Sequence, residues 1–142
     1  MEAPSPWELW TLNFELSIAV MAEVEPEVRE EGLEMKELFL LGKLDAHPHP
    51  ADLARALLMP KPSITFMLKR LEKAGFVQRQ TEAGDLRRFR LTLTRTGRKA
   101  MEAARAILDE AFARRLARLS AGERVEFALI LERLAEKHAR PR

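Results

Sequence analysis

Apolar residues recur at helical spacing through most of the chain. Trp7, Trp10, Phe14 and Ile18 stand three and four residues apart, and Leu9, Leu12, Leu16 and Val20 widen the stripe. Ser5, Pro6 and Glu8 mark a start: Ser5 can cap, Pro6 sits where a missing N–H costs nothing, and Glu8 completes a capping box. The helix is expected to run to Val24 and stop before Pro26, since proline disfavours helical geometry in the residue preceding it. A helix this apolar needs covering on more than one side, by its own domain and by a second subunit. A second helix is expected over Met35–Leu44, with Leu38, Phe39, Leu41 and Leu44 inward. The segment AHPHP breaks it. A short third helix starts near Pro50, with Leu53, Ala54 and Leu57 apolar, and the two prolines within Leu58–Pro62 make the next turn. A fourth follows at about Pro62–Ala74 and stops at Gly75. Its inward positions are Ile64, Met67, Leu68 and Leu71; Ser63, Thr65, Phe66, Lys69, Arg70 and Lys73 are left for other faces, and none is acidic.

The period then changes from helical to alternating. FVQRQ and FRLTL read as short strands, joined by TEAGDLRR into a hairpin. Thr94 caps a helix expected from Arg95 to Leu119, whose stripe is Met101, Ala104, Ile107, Leu108, Ala111, Phe112 and Leu116. Ser120 and Glu123 form another capping box and open a last helix to about His138, before a frayed tail. Val125, Phe127, Leu129, Ile130, Leu131 and Leu134 dominate it. Two short helices joined by a tight turn and followed by a basic hairpin describe a winged helix-turn-helix. The fold class is mostly α, with a small β component. A helix of this kind can enter a major groove about 12 Å wide, and a hairpin can reach the adjacent minor groove with arginines.

Composition narrows the chemistry. The 142 residues suit one domain, and 46% hydrophobic with 32% charged types is a soluble globular profile. The chain has no cysteine, which removes disulfides, thiolate metal sites and thiol redox chemistry. No apolar run is long enough to span a membrane, and MEAPSPWE lacks the basic region and apolar stretch of a secretory signal, so a cytoplasmic location is expected. The net charge of +2 hides an asymmetry. Residues 1–54 hold 3 Lys+Arg against 12 Asp+Glu, residues 55–99 hold 12 against 3, and residues 100–142 hold 9 against 7. A central block this basic raises the expectation of a polyanion partner, against the alternative of a chance cluster on a solvated surface.

In the fourth helix, Lys61, Ser63 and Thr65 lie near the N-terminus, where they can bond phosphates or base edges with help from the helix-end amides. Ser63 can equally be a simple cap. Lys69 and Lys73 fall on the outer side and suit the DNA backbone. Arg70 faces either the domain or the phosphates. Phe66 either touches a thymine methyl or tucks against the domain. In the hairpin, Asp85 and Arg87 are two residues apart, so the carboxylate can hold the guanidinium in a fixed fork for the minor groove, with Arg88 and Arg90 adding phosphate contacts. An ordinary charged hairpin tip is the bland alternative. His47 and His49 are a weak metal signal beside the reading of a polar loop, and no metal or cofactor is expected. Trp7 and Trp10 serve a core or dimer, or line a ligand cavity. No HExxH, GxSxG or glycine-rich phosphate loop is present, so enzymatic activity is not expected. A winged-helix protein-interaction module remains the alternative to DNA binding.

With these pieces in order, the chain resembles the MarR family of bacterial transcription regulators over roughly residues 8–138. The segments that carry the resemblance are ADLARALLMPKPSITFMLKRLEKAGFVQR, then Asp85-Leu86-Arg87-Arg88, then LTLTRTGRKA, whose Leu93-Thr94-x-x-Gly97 opens the family's long dimerisation helix. The resemblance implies a homodimer with one MarR-type domain spanning 1–142. Helices within 5–31 and 95–138 would form the dimerisation region, and 33–93 the winged helix-turn-helix. It implies a repressor on a pseudo-palindromic double-stranded DNA operator, released by a small aromatic or anionic effector. The effector cavity would be bounded by the first helix, the second and the early part of the long helix, with Trp10, Phe14, Phe39 and Met101 as lining. Asp85 would orient Arg87, as in the family's wing. The chain departs from the family in carrying Phe66 where a polar or basic residue is usual, and in the two prolines, Pro60 and Pro62, that crowd the turn. The absence of cysteine excludes peroxide sensing, and that of tyrosine removes a usual phenolic partner for ligands. The histidines give no support to a zinc-responsive branch.

Overall fold

The computed structural model describes residues 1–82 and 84–135, and at 85–88 the backbone alone. Among the described residues six helices and one hairpin follow in order: α1 Pro6–Glu30, α2 Met35–Leu44, α3 Pro50–Leu57, α4 Lys61–Lys73, β1 Val77–Glu82, β2 Asp85–Leu93, α5 Arg95–Leu116 and α6 Ala121–Ala135. The core gathers the inner faces of α2, α3 and α4 against the ends of the hairpin. Leu40, Leu41, Leu44, Leu53, Ile64, Leu68, Leu71 and Leu91 are fully buried there. All four residues expected inward on α4 are in this core.

Several expectations from the sequence are corrected. Helix α1 does not stop before Pro26 but continues through it to Glu30. Val20, Val24 and Val28 recur every fourth residue and are all buried, so the packed seam of the helix lies on both sides of the proline. That burial outweighs the hydrogen bond that Pro26 cannot donate. The stripe of Trp7, Trp10, Phe14 and Ile18 is exposed, and among the described residues nothing covers it. On α2, Phe39 points outward while Leu40 and Glu37 are buried. Helix α5 ends at Leu116, short of Leu119. Helix α6 buries none of its residues. His138 and the tail lie outside the described residues.

The junction between α4, the hairpin and α5 is tightly built. Gly75 ends α4 in the left-handed region at φ +80, and the chain turns directly into β1. The strands pair antiparallel, Val77 with Leu93 through Thr81 with Phe89, and the register then shifts so that Glu82 faces Asp85. Leu91 N–H also donates to Pro48 O at 2.8 Å, which ties β2 to the segment before α3. Thr94 joins three elements. Its hydroxyl donates to Gly75 O at 2.6 Å and accepts from Gly97 N–H at 2.9 Å, while its N–H donates to Phe76 O at 3.0 Å. Gly97 lies against the backbone of Phe76: a Cβ there would come within 2.0 Å of the carbonyl oxygen. The Leu-Thr-x-x-Gly pattern is thus a cap and a close approach in one segment.

Candidate nucleic-acid interface

Helix α4 presents Lys61, Thr65, Lys69 and Lys73 at four-residue intervals on its exposed side. The three lysines have no ion-pair partner among the described residues. The one acid of the helix, Glu72, is paired with Arg79 of β1, whose guanidinium also lies 4.4 Å from the centre of the Phe89 ring. The helix therefore projects cationic groups with nothing on its own surface to cancel them. Thr65 Oγ1 donates to Lys61 O at 3.1 Å, a local bond that leaves its oxygen free to accept. Ser63 is half-buried and caps nothing, since the N-cap of α4 is Pro60. Phe66 is 73% exposed, which excludes the reading that tucks it into the domain. Arg90 on β2 is exposed as well. The side chains of Asp85, Arg87 and Arg88 lie outside the described residues, and with them the proposed fork.

Arg70 differs from its neighbours. Its guanidinium binds both carboxylate oxygens of Glu37 on α2 and donates to Gly32 O at 2.9 Å. Of the two readings, the domain-facing one is what the structure has. A phosphate contact is disfavoured because three of its donor interactions are already used. Glu37 is 2% exposed, and its hydrogen bonds hold the Arg70 guanidinium above its usual pKa. Glu37 also accepts from the Glu34 N–H at 2.7 Å, so one carboxylate caps α2 and anchors α4 together. Nothing in the sequence singled out Glu37. The available signal was an acid at the same helical phase as Leu41 and Leu44, matched by a single arginine with an uncertain face.

The four residues named for an effector cavity are not brought together. Trp10 and Phe14 lie on the exposed half of α1, Phe39 points outward, and Met101 packs against the core. A cavity of about 730 Å³ lies elsewhere, between α1, the start of α2 and α4. Met21, Met35, Met59 and Met67 form much of its wall, and Ser63, Phe66 and Arg70 close it on the α4 side. His49, at the start of α3, shares a 2.6 Å hydrogen bond with Glu82 of β1 and so ties the helix-turn-helix to the hairpin. Among the described residues no group of three His, Cys, Asp or Glu is placed to hold a metal.

Two packed helices with the second one cationic, backed by a hairpin and set between exposed apolar helices, define a winged helix-turn-helix DNA-binding regulator. The MarR family model matches residues 33–89, which run from the start of α2 into the second strand. The HTH-type transcriptional repressor Rv2887 of Mycobacterium tuberculosis is 33% identical over 135 residues, 94% of each chain. This chain belongs to the MarR family. The crystal structure of Rv2887 with DNA aligns at a TM-score of 0.73 and 31% identity, covering 95% of this chain and 100% of that one. Its complex with salicylic acid aligns at 0.73 and 32% identity, over 94% and 98%. The Staphylococcus aureus MepR–DNA complex aligns at 0.74 and 25% identity, over 87% and 91%.

Proposed function

We propose that this chain is a dimeric transcriptional repressor that binds a pseudo-palindromic site in double-stranded DNA and is released by a small-molecule effector. The observation that carries this reading is the uncancelled cationic side of α4, Lys61, Lys69 and Lys73, beside the exposed Phe66. Such a helix suits a major groove: the lysines meet phosphates, and Thr65, Ser63 and Phe66 face base edges. The wing, with Arg87, Arg88 and Arg90, reaches the minor groove, and Asp85 orients Arg87. Helices α1, α5 and α6 form the dimer frame, and residues 33–93 form the DNA-binding unit. The named repressors among the relatives, and the DNA and salicylic acid complexes of Rv2887, support the regulatory reading. The protein acts by binding rather than by catalysis, and a DNA partner places it in the cytoplasm.

The test is a gel shift on the DNA upstream of its own gene, with a scrambled duplex as control. Arg87→Glu is expected to lower operator affinity by well over tenfold with an unchanged thermal melt. The wild-type affinity is expected to fall steeply with salt, each lost phosphate contact flattening the logarithmic slope by about one unit. Unchanged binding by the variant removes the wing assignment. A salt-independent interaction counts against a DNA partner, and a duplex that does not shift at all points instead to a protein partner for the same surface.

A further inference from the structure

The outward face of α4 is not wholly cationic. Ile64, Met67, Leu68 and Leu71 fix its buried side. At about 100° per residue, the opposite direction falls among Pro62, Phe66, Lys69 and Lys73, each within about 30° of it. Thr65 lies about 70° to one side of that direction and Ser63 about 90° to the other. Phe66 therefore projects more directly away from the domain than either hydroxyl residue, and it is 73% exposed. It is the one large apolar residue of α4 left outside the core. Its ring borders the cavity beside Pro62 and Ser63, yet most of it remains in water. An apolar group of this size gains nothing from the fold in such a place.

The neighbours of Phe66 say what it meets. Lys69 and Lys73 stand one and two turns nearer the C-terminus on the same face, without ion-pair partners among the described residues, and suit phosphates. Phe66 belongs to the N-terminal half of the helix, the part of a recognition helix that contacts base edges. A phenyl ring has no donor and no acceptor of the ordinary kind. Against the ring nitrogens, carbonyl oxygens and amino groups of the bases it would strip water and return no hydrogen bond. The apolar group that the major groove offers is the C5-methyl of thymine. We propose that Phe66 is a specificity-determining residue that reads a thymine methyl in each half-site. Operator affinity then depends on that methyl, and not only on the hydrogen-bonding pattern of the base pair. This rests on the DNA-binding reading, and its test separates the two.

The probe is the duplex upstream of the protein's own gene, prepared once with thymine and once with uracil throughout. Uracil keeps the charge and every hydrogen-bonding group of thymine and lacks only the methyl. One buried methyl is worth about fourfold in affinity, and one in each of two half-sites about fifteenfold. By gel shift, the wild type is expected to bind the uracil duplex at least tenfold more weakly. Phe66→Ala is expected to bind the thymine duplex about as weakly, and to distinguish the two duplexes by less than twofold. Phe66→Leu, which keeps an apolar tip, is expected to retain part of the preference. Both variants are expected to melt with the wild type, since the replaced side chain is exposed. Replacing thymines by uracil one at a time locates the contact. At that position a 5-methylcytosine–guanine pair is expected to bind more tightly than a cytosine–guanine pair. Equal binding of the two duplexes by the wild type, a full thymine preference in Phe66→Ala, or no gain from the cytosine methyl overturns methyl readout and leaves DNA binding standing. Failure of both duplexes to shift removes the DNA-binding reading, and this inference with it.

Discussion

Glu37 and Arg70 form a pair with very unequal exposure, 2% against 41% for the side chains. The two deletions should therefore differ. Arg70→Ala leaves a carboxylate buried without its partner, and the expected loss is about 3 kcal/mol. Glu37→Ala frees a guanidinium that can turn to water, and the expected loss is about 1 kcal/mol. Urea unfolding of both variants checks the order; equal losses mean that Glu37 is solvated when alone. The same scale holds a second prediction at Gly97. An added Cβ would meet the Phe76 carbonyl at 2.0 Å, and backbone cannot yield as a side-chain tip does. Gly97→Ala is expected to cost about 3 kcal/mol, through a shift of the α5 start away from the hairpin. A melt within one degree of wild type shows that the segment moves freely. Gly97 was legible in the sequence as part of a motif, but its reason was not: the contact joins residues 21 apart, and no local pattern reports it.

At the scale of elements, what could be read follows from what a period can encode. The inward face of α4 was correct at Ile64, Met67, Leu68 and Leu71 because a 3.6-residue repeat and one core direction determine it. On α2 the apolar pattern and the structure differ at Phe39, because apolar character alone does not choose between neighbours one residue apart. Leu40 took the inward position and Phe39 was turned out. Helix α1 runs through Pro26 because valine packing on both sides of the proline overrides a local preference. The cavity was invisible because it is a gap between three elements rather than a property of any. The joint between α1 and α5 shows the same dependence on distant partners. Glu23 accepts from Arg114 at 2.7 Å and Arg115 at 3.2 Å, and the hydrogen bond from Arg114 leads in holding its carboxyl below the ordinary value of 4.5. A carboxyl depressed in the folded state contributes stability above its unfolded pKa, and that contribution is lost as pH falls through the lowered folded value. The gap in melting temperature between wild type and Glu23→Gln is thus expected to be full at neutral pH and to close as the pH falls below 4.5. Glu8, depressed mainly by the Ser5 backbone N–H, titrates in the same direction but in both proteins, so it cancels from the difference. A gap that persists unchanged in acid assigns the effect to packing rather than charge.

For the whole molecule, the decisive fact is that α6 is left uncovered by the described residues of its own subunit. None of its residues is buried, and Val125, Leu129 and Leu134 are 62%, 55% and 79% exposed. An isolated helix of this length is marginal in water, so its stability must come from packing. The exposed half of α1, with Trp7 at 74% and Trp10 at 62%, has the same need. Two surfaces of this kind on one chain fit a second copy that covers both, and the folded state is then linked to protein concentration. The melting temperature is expected to rise with concentration across a hundredfold range. Replacing Leu129 and Leu134 together by Glu is expected to give a monomer by sedimentation, with helix content reduced by about the length of α6 and the hairpin core intact. Two winged units held one helical turn of DNA apart, about 34 Å, bind as one bivalent body. Once one is seated, the second sees a high effective concentration of its half-site. The monomeric variant is therefore expected to lose at least a hundredfold in affinity for a full operator but less than tenfold for a single half-site, although neither substitution touches α4 or the wing. Equal losses on both duplexes mean that α6 acts on the DNA-binding unit itself, and a dimer that survives the two charges moves the interface onto α1 and α5.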